Sequence, residues 1–151
     1  MPKQTCQYSH MDDFEESFQK ITKWASDRGL KIEYGGHQEN EFFDFSGCIN
    51  INNRCSRQKQ LFSLLHECGH FLGLRNSNHY EENYPFLSNL EKLNKNVERQ
   101  KIYKIETILE EAEAWEQGKR LASRLGIPLD EKLFYKHRAD CLMTYVKWAA
   151  K

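Results

Sequence analysis

The chain has little that would commit it to a membrane, a nucleic acid or an oxidising compartment. No apolar run approaches the ~20 residues of a membrane span, and the segment Met1 to His10 is polar, without the apolar centre of a secretory signal. Acidic and basic residues number 22 each, so no charge excess argues for nucleic acid or for an anionic lipid surface. The five cysteines (Cys6, Cys48, Cys55, Cys68 and Cys141) are odd in number and contain no Cys-x-x-Cys pair. That argues against a zinc knuckle and against a disulfide framework, and fits a cytoplasmic protein. No internal repeat and no low-complexity linker divides the 151 residues, which suit one domain over 1–151 with one core. Apolar residues are only 39% of the chain, but aromatics are 13%, and large rings build a core from few residues.

The periodicity predicts an α+β fold that is mainly helical, with a small three-stranded sheet. Phe14, Phe18, Ile21, Trp24 and Ala25 recur at helical steps, so 11–28 reads as an amphipathic helix, capped by Ser9 or Asp12 and stopped by Gly29. Leu30 to Tyr34 alternates as a half-buried strand, and Gly35-Gly36 breaks it. Glu41 to Phe45 and Cys48 to Ile51 read as two more short strands joined through Ser46-Gly47. The second of these either offers a free edge to an extended substrate or simply shields the helix that follows. Helices are predicted from Ser56 or Arg57 to Leu74 and from Ile102 to Leu125. Between them lie a loop over 79–85 and a charged, partly helical stretch to Arg99. Asp130 caps a last helix over 131–150, expected to bury Leu133, Phe134, Leu142, Tyr145 and Trp148.

What the chain does carry is His66-Glu67-Cys68-Gly69-His70, set among Leu61, Phe62, Leu64, Leu65, Phe71, Leu72 and Leu74. By residue frequencies, a chain of this length shows His-Glu-x-x-His by chance ~1 time in 200. Residues four apart stand above one another on a helix, so His66 and His70 can reach one metal ion. Glu67 lies near the same site and can act as the base that holds a water molecule. Two ligands and a base on one turn are the minimum equipment of a zinc hydrolase. Cys68 points to another helical face and reads as packing.

A catalytic zinc takes three protein ligands and keeps one position open. The run Glu110-Glu111-Ala112-Glu113 offers candidates on the later helix. Ala114, Gly118 and Ala122 form a stripe of small side chains that would let the motif helix approach. At ~100° per residue, Glu111 lies within about 20° of that stripe, Glu110 about 80° away and Glu113 about 140° away. Glu111 is the expected third ligand, with Glu110 in reserve and Glu113 disfavoured. A three-histidine site is not expected, because residue 76 is Asn where the metzincin spacing needs His. His10, His37, His79 and His137 are the other histidines, and a structural zinc closed by His79 or Cys55 is a further alternative. Tyr80, Tyr84, His79 and Tyr103 lie between the two helices as candidate donors to a tetrahedral oxyanion.

The run Arg57-Gln58-Lys59-Gln60-Leu61-Phe62-Ser63-Leu64-Leu65-His66-Glu67-Cys68-Gly69-His70 resembles the motif region of ImmA/IrrE-type metallopeptidases. Glu111-Ala112-Glu113-Ala114 resembles their Glu-x-x-Ala, and Ile49-Asn50-Ile51-Asn52 their preceding strand. The resemblance covers roughly residues 42–122. It implies a zincin-like catalytic domain of the gluzincin kind, with Zn2+ held by His66, His70 and Glu111. It also implies cleavage of a protein or peptide substrate, often a regulator in bacteria, phages and mobile elements. Trp115 stands where such proteins commonly have Asn, and the long gap from His70 to Glu111 suggests an insertion over 76–104.

Overall fold

Phe18, Ile21, Trp24 and Ala25 share the buried face of helix α1 (Ser9–Ser26). Gly29, with φ at 76°, occupies the left-handed region that favours glycine and turns the chain into strand β1 (Lys31–Gly35). This computed structural model describes residues 9–35, 42–43, 46–93 and 96–151, with backbone alone for 9–13 and 42–43. Cys6, Gly36, His37, the side chains of Ser9, His10 and Asp12, and positions 41, 44 and 45 of the expected second strand lie outside the described residues.

β1 pairs in parallel with β3 (Cys48–Asn52), placing Ile32 opposite Ile49 and Tyr34 opposite Ile51. On the other side of β3, two residues, Phe42–Phe43 (β2), pair antiparallel with Asn50 and Ile49. β3 is therefore central rather than an edge. Of the two readings of this strand, a free edge for substrate and a shield for the helix, the second agrees with the pairing, because Ile49 and Asn50 are paired on both sides. Ile49, Asn50 and Ile51 are all buried, so the strand seals the motif helix from one side.

Helix α2 (Arg57–Arg75) carries the motif. The Ser56 hydroxyl accepts from the Lys59 N–H at 3.3 Å and caps it. Every residue from Gln60 to Gly69 is buried, the pattern of a helix surrounded by other elements. Its most extensive helix partner is α5 (Val97–Leu125). Leu61, Leu64, Leu65 and Cys68 join Ile21, Ile49, Ile51 and Leu121 in the main core. A smaller cluster of Phe62, Trp115 and Phe134 attaches the last helix, α6 (Glu131–Ala149). On α6, Phe134 is fully buried and Tyr145 half-buried, but Leu133 and Trp148 are 41% and 38% exposed, contrary to expectation. α6 packs mainly against α5 and only lightly against α2, so much of its apolar surface is left uncovered.

The segment between α2 and α5 is more ordered than its charge suggests. The predicted loop over 79–85 is instead mostly helix α3 (Ser77–Asn83), followed by α4 (Pro85–Ser88) and a single 3-10 turn at Leu90–Lys92. The Asn76 side chain caps α3, and Pro85 opens α4 at a position where its missing N–H costs nothing. Glu106 on α5 is 5% exposed, and one of its oxygens accepts from the N–H groups of Phe86 and Leu87, both at 2.9 Å. α5 itself begins at Val97, earlier than predicted, because Asn96 caps it through the Arg99 N–H.

α2 and α5 approach backbone to backbone. A Cβ on Gly118 would lie 2.5 Å from the Leu65 carbonyl oxygen, and one on Gly69 would run into the carbonyl of Ala114. Gly118→Ala is expected to cost about 3 kcal/mol or more in urea-melt stability. Gly73→Ala, where a Cβ meets nothing within 4 Å, is expected to be neutral or stabilising by up to about 1 kcal/mol.

Candidate metal centre

The close approach of α2 and α5 brings Glu111 against both motif histidines. His66 Nε2 and His70 Nε2 are 3.0 Å apart, and Glu111 Oε2 lies 3.0 Å from the first and 3.5 Å from the second. The three residues are buried or nearly so. Glu67, 4% exposed, places Oε1 3.9 Å from His66 Nε2. Among the described residues, His66, Glu67 and His70 form one group able to share an ion, and His70, Glu110 and Glu111 form a second.

The reserve candidate, Glu110, occupies a different place. Its Oε1 lies 2.7 Å from His70 Nδ1, on the far side of that ring from Glu111. A carboxylate there accepts the Nδ1 proton, so that when His70 gives up its second proton it is Nε2 that turns a lone pair toward the triangle. Glu113 is apart from the triangle. It pairs with His79 at 3.0 Å and accepts a short hydrogen bond from the Tyr84 hydroxyl. Two of the four expected oxyanion donors, His79 and Tyr84, are therefore engaged with Glu113. Tyr103 stacks edge-on with Trp148, and Tyr80 with Tyr84. Tyr80 also lines a small recess, beside Gly69, Gly73, Glu110 and Glu113.

Two residues that carried no signal in the sequence complete the setting. The Trp115 indole stacks on the His66 ring, with centroids 4.3 Å apart and planes 29° from parallel. His66 Nδ1 is buried without a hydrogen-bond partner among the described residues, so on that side of the ring packing against Trp115 takes the place of a hydrogen bond. Tyr145 of α6 lies near Glu111, and burial together with that carboxylate's charge raises its phenol above the usual range. It counted only as a core residue, because helical spacing places it in line with Phe134 and Leu142; its polar tip was the unused signal.

Charge is arranged asymmetrically. Burial pushes His66 down to about 4, so it is neutral at ordinary pH. Burial would lower His70 too, but the carboxylates of Glu110 and Glu111 outweigh it and raise that group well above its usual value. Burial would raise Glu111, yet hydrogen bonds from His66 and His70 hold it far below the ordinary carboxylate range. Without metal, then, one proton sits on His70 between two carboxylates.

The family model of the IrrE N-terminal-like domain, a peptidase family, matches residues 25–131. No curated protein and no solved structure matches the chain. A metallopeptidase family implies a metal ion, and the residues fit one. Around a tetrahedral ion with bonds of about 2.0–2.1 Å, donors stand about 3.3 Å apart, close to the triangle seen here. The triangle also sets imidazole lone pairs against a carboxylate, a donor set for a cation. Among the described residues, no helix is long and apolar enough to cross a membrane.

Since at pH 6 His66 is neutral and Glu111 ionised while His70 is charged, uptake of a metal at this site is expected to release about one proton there. Titration calorimetry in two buffers of different ionisation enthalpy measures it. Release of none, or of two, would contradict this charge assignment.

Proposed function

Because the chain belongs to the IrrE N-terminal-like family of metallopeptidases, we propose that it is a zinc endopeptidase that hydrolyses peptide bonds in a protein substrate. The observation that supports this is the triangle of His66 Nε2, His70 Nε2 and Glu111 Oε2 with Glu67 beside it. In this reading His66, His70 and Glu111 hold the metal. Two imidazoles and one carboxylate suit Zn2+, and three protein donors leave a position open, as in catalytic zinc sites. The frame is zincin-like: a three-stranded sheet backs the His-Glu-x-x-His helix, and a second helix supplies the glutamate.

When bound, the ion supplies Lewis acidity, which makes water a stronger acid and polarises a carbonyl. The chain's own groups do the rest. Glu67 accepts the proton of the attacking water and returns it to the leaving amine, a general acid–base role. Glu110 fixes the tautomer and ring plane of His70 through Nδ1. The insertion over 76–104 forms one wall of the recess beside Gly69 and Gly73, held to α5 by Glu106 and Glu113. A regulatory protein of a phage or mobile element is the substrate class that the resemblance to ImmA/IrrE-type enzymes brings with it.

Glu67→Gln is expected to keep stoichiometric zinc and to lower cleavage of unfolded casein by at least ~100-fold. Glu111→Ala is expected to lose the metal, and Glu113→Ala to keep it. Stoichiometric zinc with no cleavage of casein or host lysate by the unaltered protein would favour a binding protein on the same frame. Absence of metal after purification without chelator would sink the reading.

A further inference from the structure

The two motif histidines are supported unequally. His70 Nδ1 has the Glu110 carboxylate 2.7 Å away, whereas His66 Nδ1 is buried and has no hydrogen-bond partner among the described residues. A metal-bound imidazole almost always uses that nitrogen to fix its ring. At His66 the support comes from the face instead. Trp115, 2% exposed, lays its indole over the imidazole at 4.3 Å and 29° from parallel. The indole is itself boxed in. Phe134 and His137 of α6 meet it edge-on, at 5.5 and 5.6 Å. Phe62, one turn before His66 on α2, closes on Phe134 at 5.3 Å. Phe134 and His137 both lie beyond the residues 25–131 that the family model matches.

This stack responds to what binds at the far side of the imidazole. A ring that gives its Nε2 lone pair to a cation loses electron density, and the indole face is the most electron-rich among aromatic side chains. The attraction therefore grows when His66 holds an ion. An apolar side chain in the same place would not distinguish the two states. The stack also keeps the ring where its Nε2 is 3.0 Å from both His70 Nε2 and Glu111 Oε2. We propose that Trp115 is a positioning residue of the metal centre. It holds the plane of His66, favours the metal-bound form of that ring, and is locked by Phe134 and His137, so that α6 belongs to the site.

This inference rests on the reading of His66 as a ligand, and the experiment separates the two. Zinc affinity is measured by competition with a chromophoric chelator for the unaltered protein, Trp115→Phe, Trp115→Met and His66→Ala. Cobalt(II) absorption and melting of the metal-free proteins are recorded alongside. Phe and Met are both smaller than Trp, so both substitutions are expected to lower metal-free melting to a similar degree. Only Phe keeps a ring over His66. Trp115→Met is expected to bind zinc roughly 3- to 30-fold more weakly than the unaltered protein, with a shifted cobalt spectrum, and Trp115→Phe to fall between them. Equal losses in the two variants, in step with melting, would mark Trp115 as packing and overturn its role; so would unchanged affinity in both. Fluorotryptophan-labelled protein tests the stack with Trp115 in place, its fluorine resonance assigned by elimination through Trp24→Phe and Trp148→Phe. That resonance is expected to move on zinc addition, and a fixed one would overturn the proposal even if neither Trp115 variant folds. Full zinc affinity in His66→Ala would overturn the reading of the site itself.

Discussion

The contact of the α2 and α5 backbones is the constraint on which the rest depends. Leu65 meets Gly118 and Gly69 meets Ala114, so the two helices run antiparallel in one register with almost no side chain between them. His66 and His70 each follow one of those contact residues on α2, and Glu111 precedes Ala114 by one turn on α5. A shift of one helical residue, 1.5 Å along the axis and about 100° around it, would carry Glu111 away from both imidazoles. Carbonyl groups cannot rotate aside as side chains do, so this interface sets the geometry of the triangle more rigidly than interdigitating leucines would.

Bringing the helices so close also concentrates buried charge. Glu67, Glu106, Glu110 and Glu111 are each at most 8% exposed. An unpaired carboxylate in such a place costs several kcal/mol. Three of these have clear answers. Glu106 is met by two backbone N–H groups, Glu110 by His70, and Glu111 by two imidazoles. The first holds the segment between α2 and α5 against α5. The other two converge on one point with His66 and His70. A core built for stability alone would place apolar side chains there, so the convergence is the feature that asks for a cation.

The motif and its helix were legible because helical spacing is local: four residues put His66 over His70 wherever that helix packs. The α1 face was legible for the same reason. Glu111 could be singled out because small residues at four-residue steps mark the face that another helix can approach, and helical angle then orders the neighbouring glutamates. Pairing across the sheet was less accessible. The residues of β3 do not say that both of its edges are taken, because that depends on where β1 arrives after a crossover. α3 and α4 were hidden by composition: a polar segment becomes helical here through Asn76, Pro85 and a long-range acceptor, Glu106, twenty residues away. Trp115 and Tyr145 left no local mark as site residues, since their partners lie on other helices.

The two histidines are oriented by different physics. His70 is fixed by a hydrogen bond to Glu110, which sets tautomer and angle together. His66 is fixed by the Trp115 ring lying over it, and Trp115 is itself held edge-on by Phe134 and His137 of α6. Stacking sets the plane of an imidazole but not its proton, and with Nδ1 lacking a partner among the described residues the tautomer of His66 is free to follow whatever faces Nε2. A proton donor there would favour one form, a carboxylate the other, a cation the form with the lone pair at Nε2. His70 is therefore the preset imidazole and His66 the adaptable one. Both depend on α5, His70 through Glu110 and His66 through Trp115, and the Trp115 support passes on to α6. The last helix, peripheral by exposure, thus braces one corner of the triangle through an aromatic chain of Phe134, His137 and Trp115.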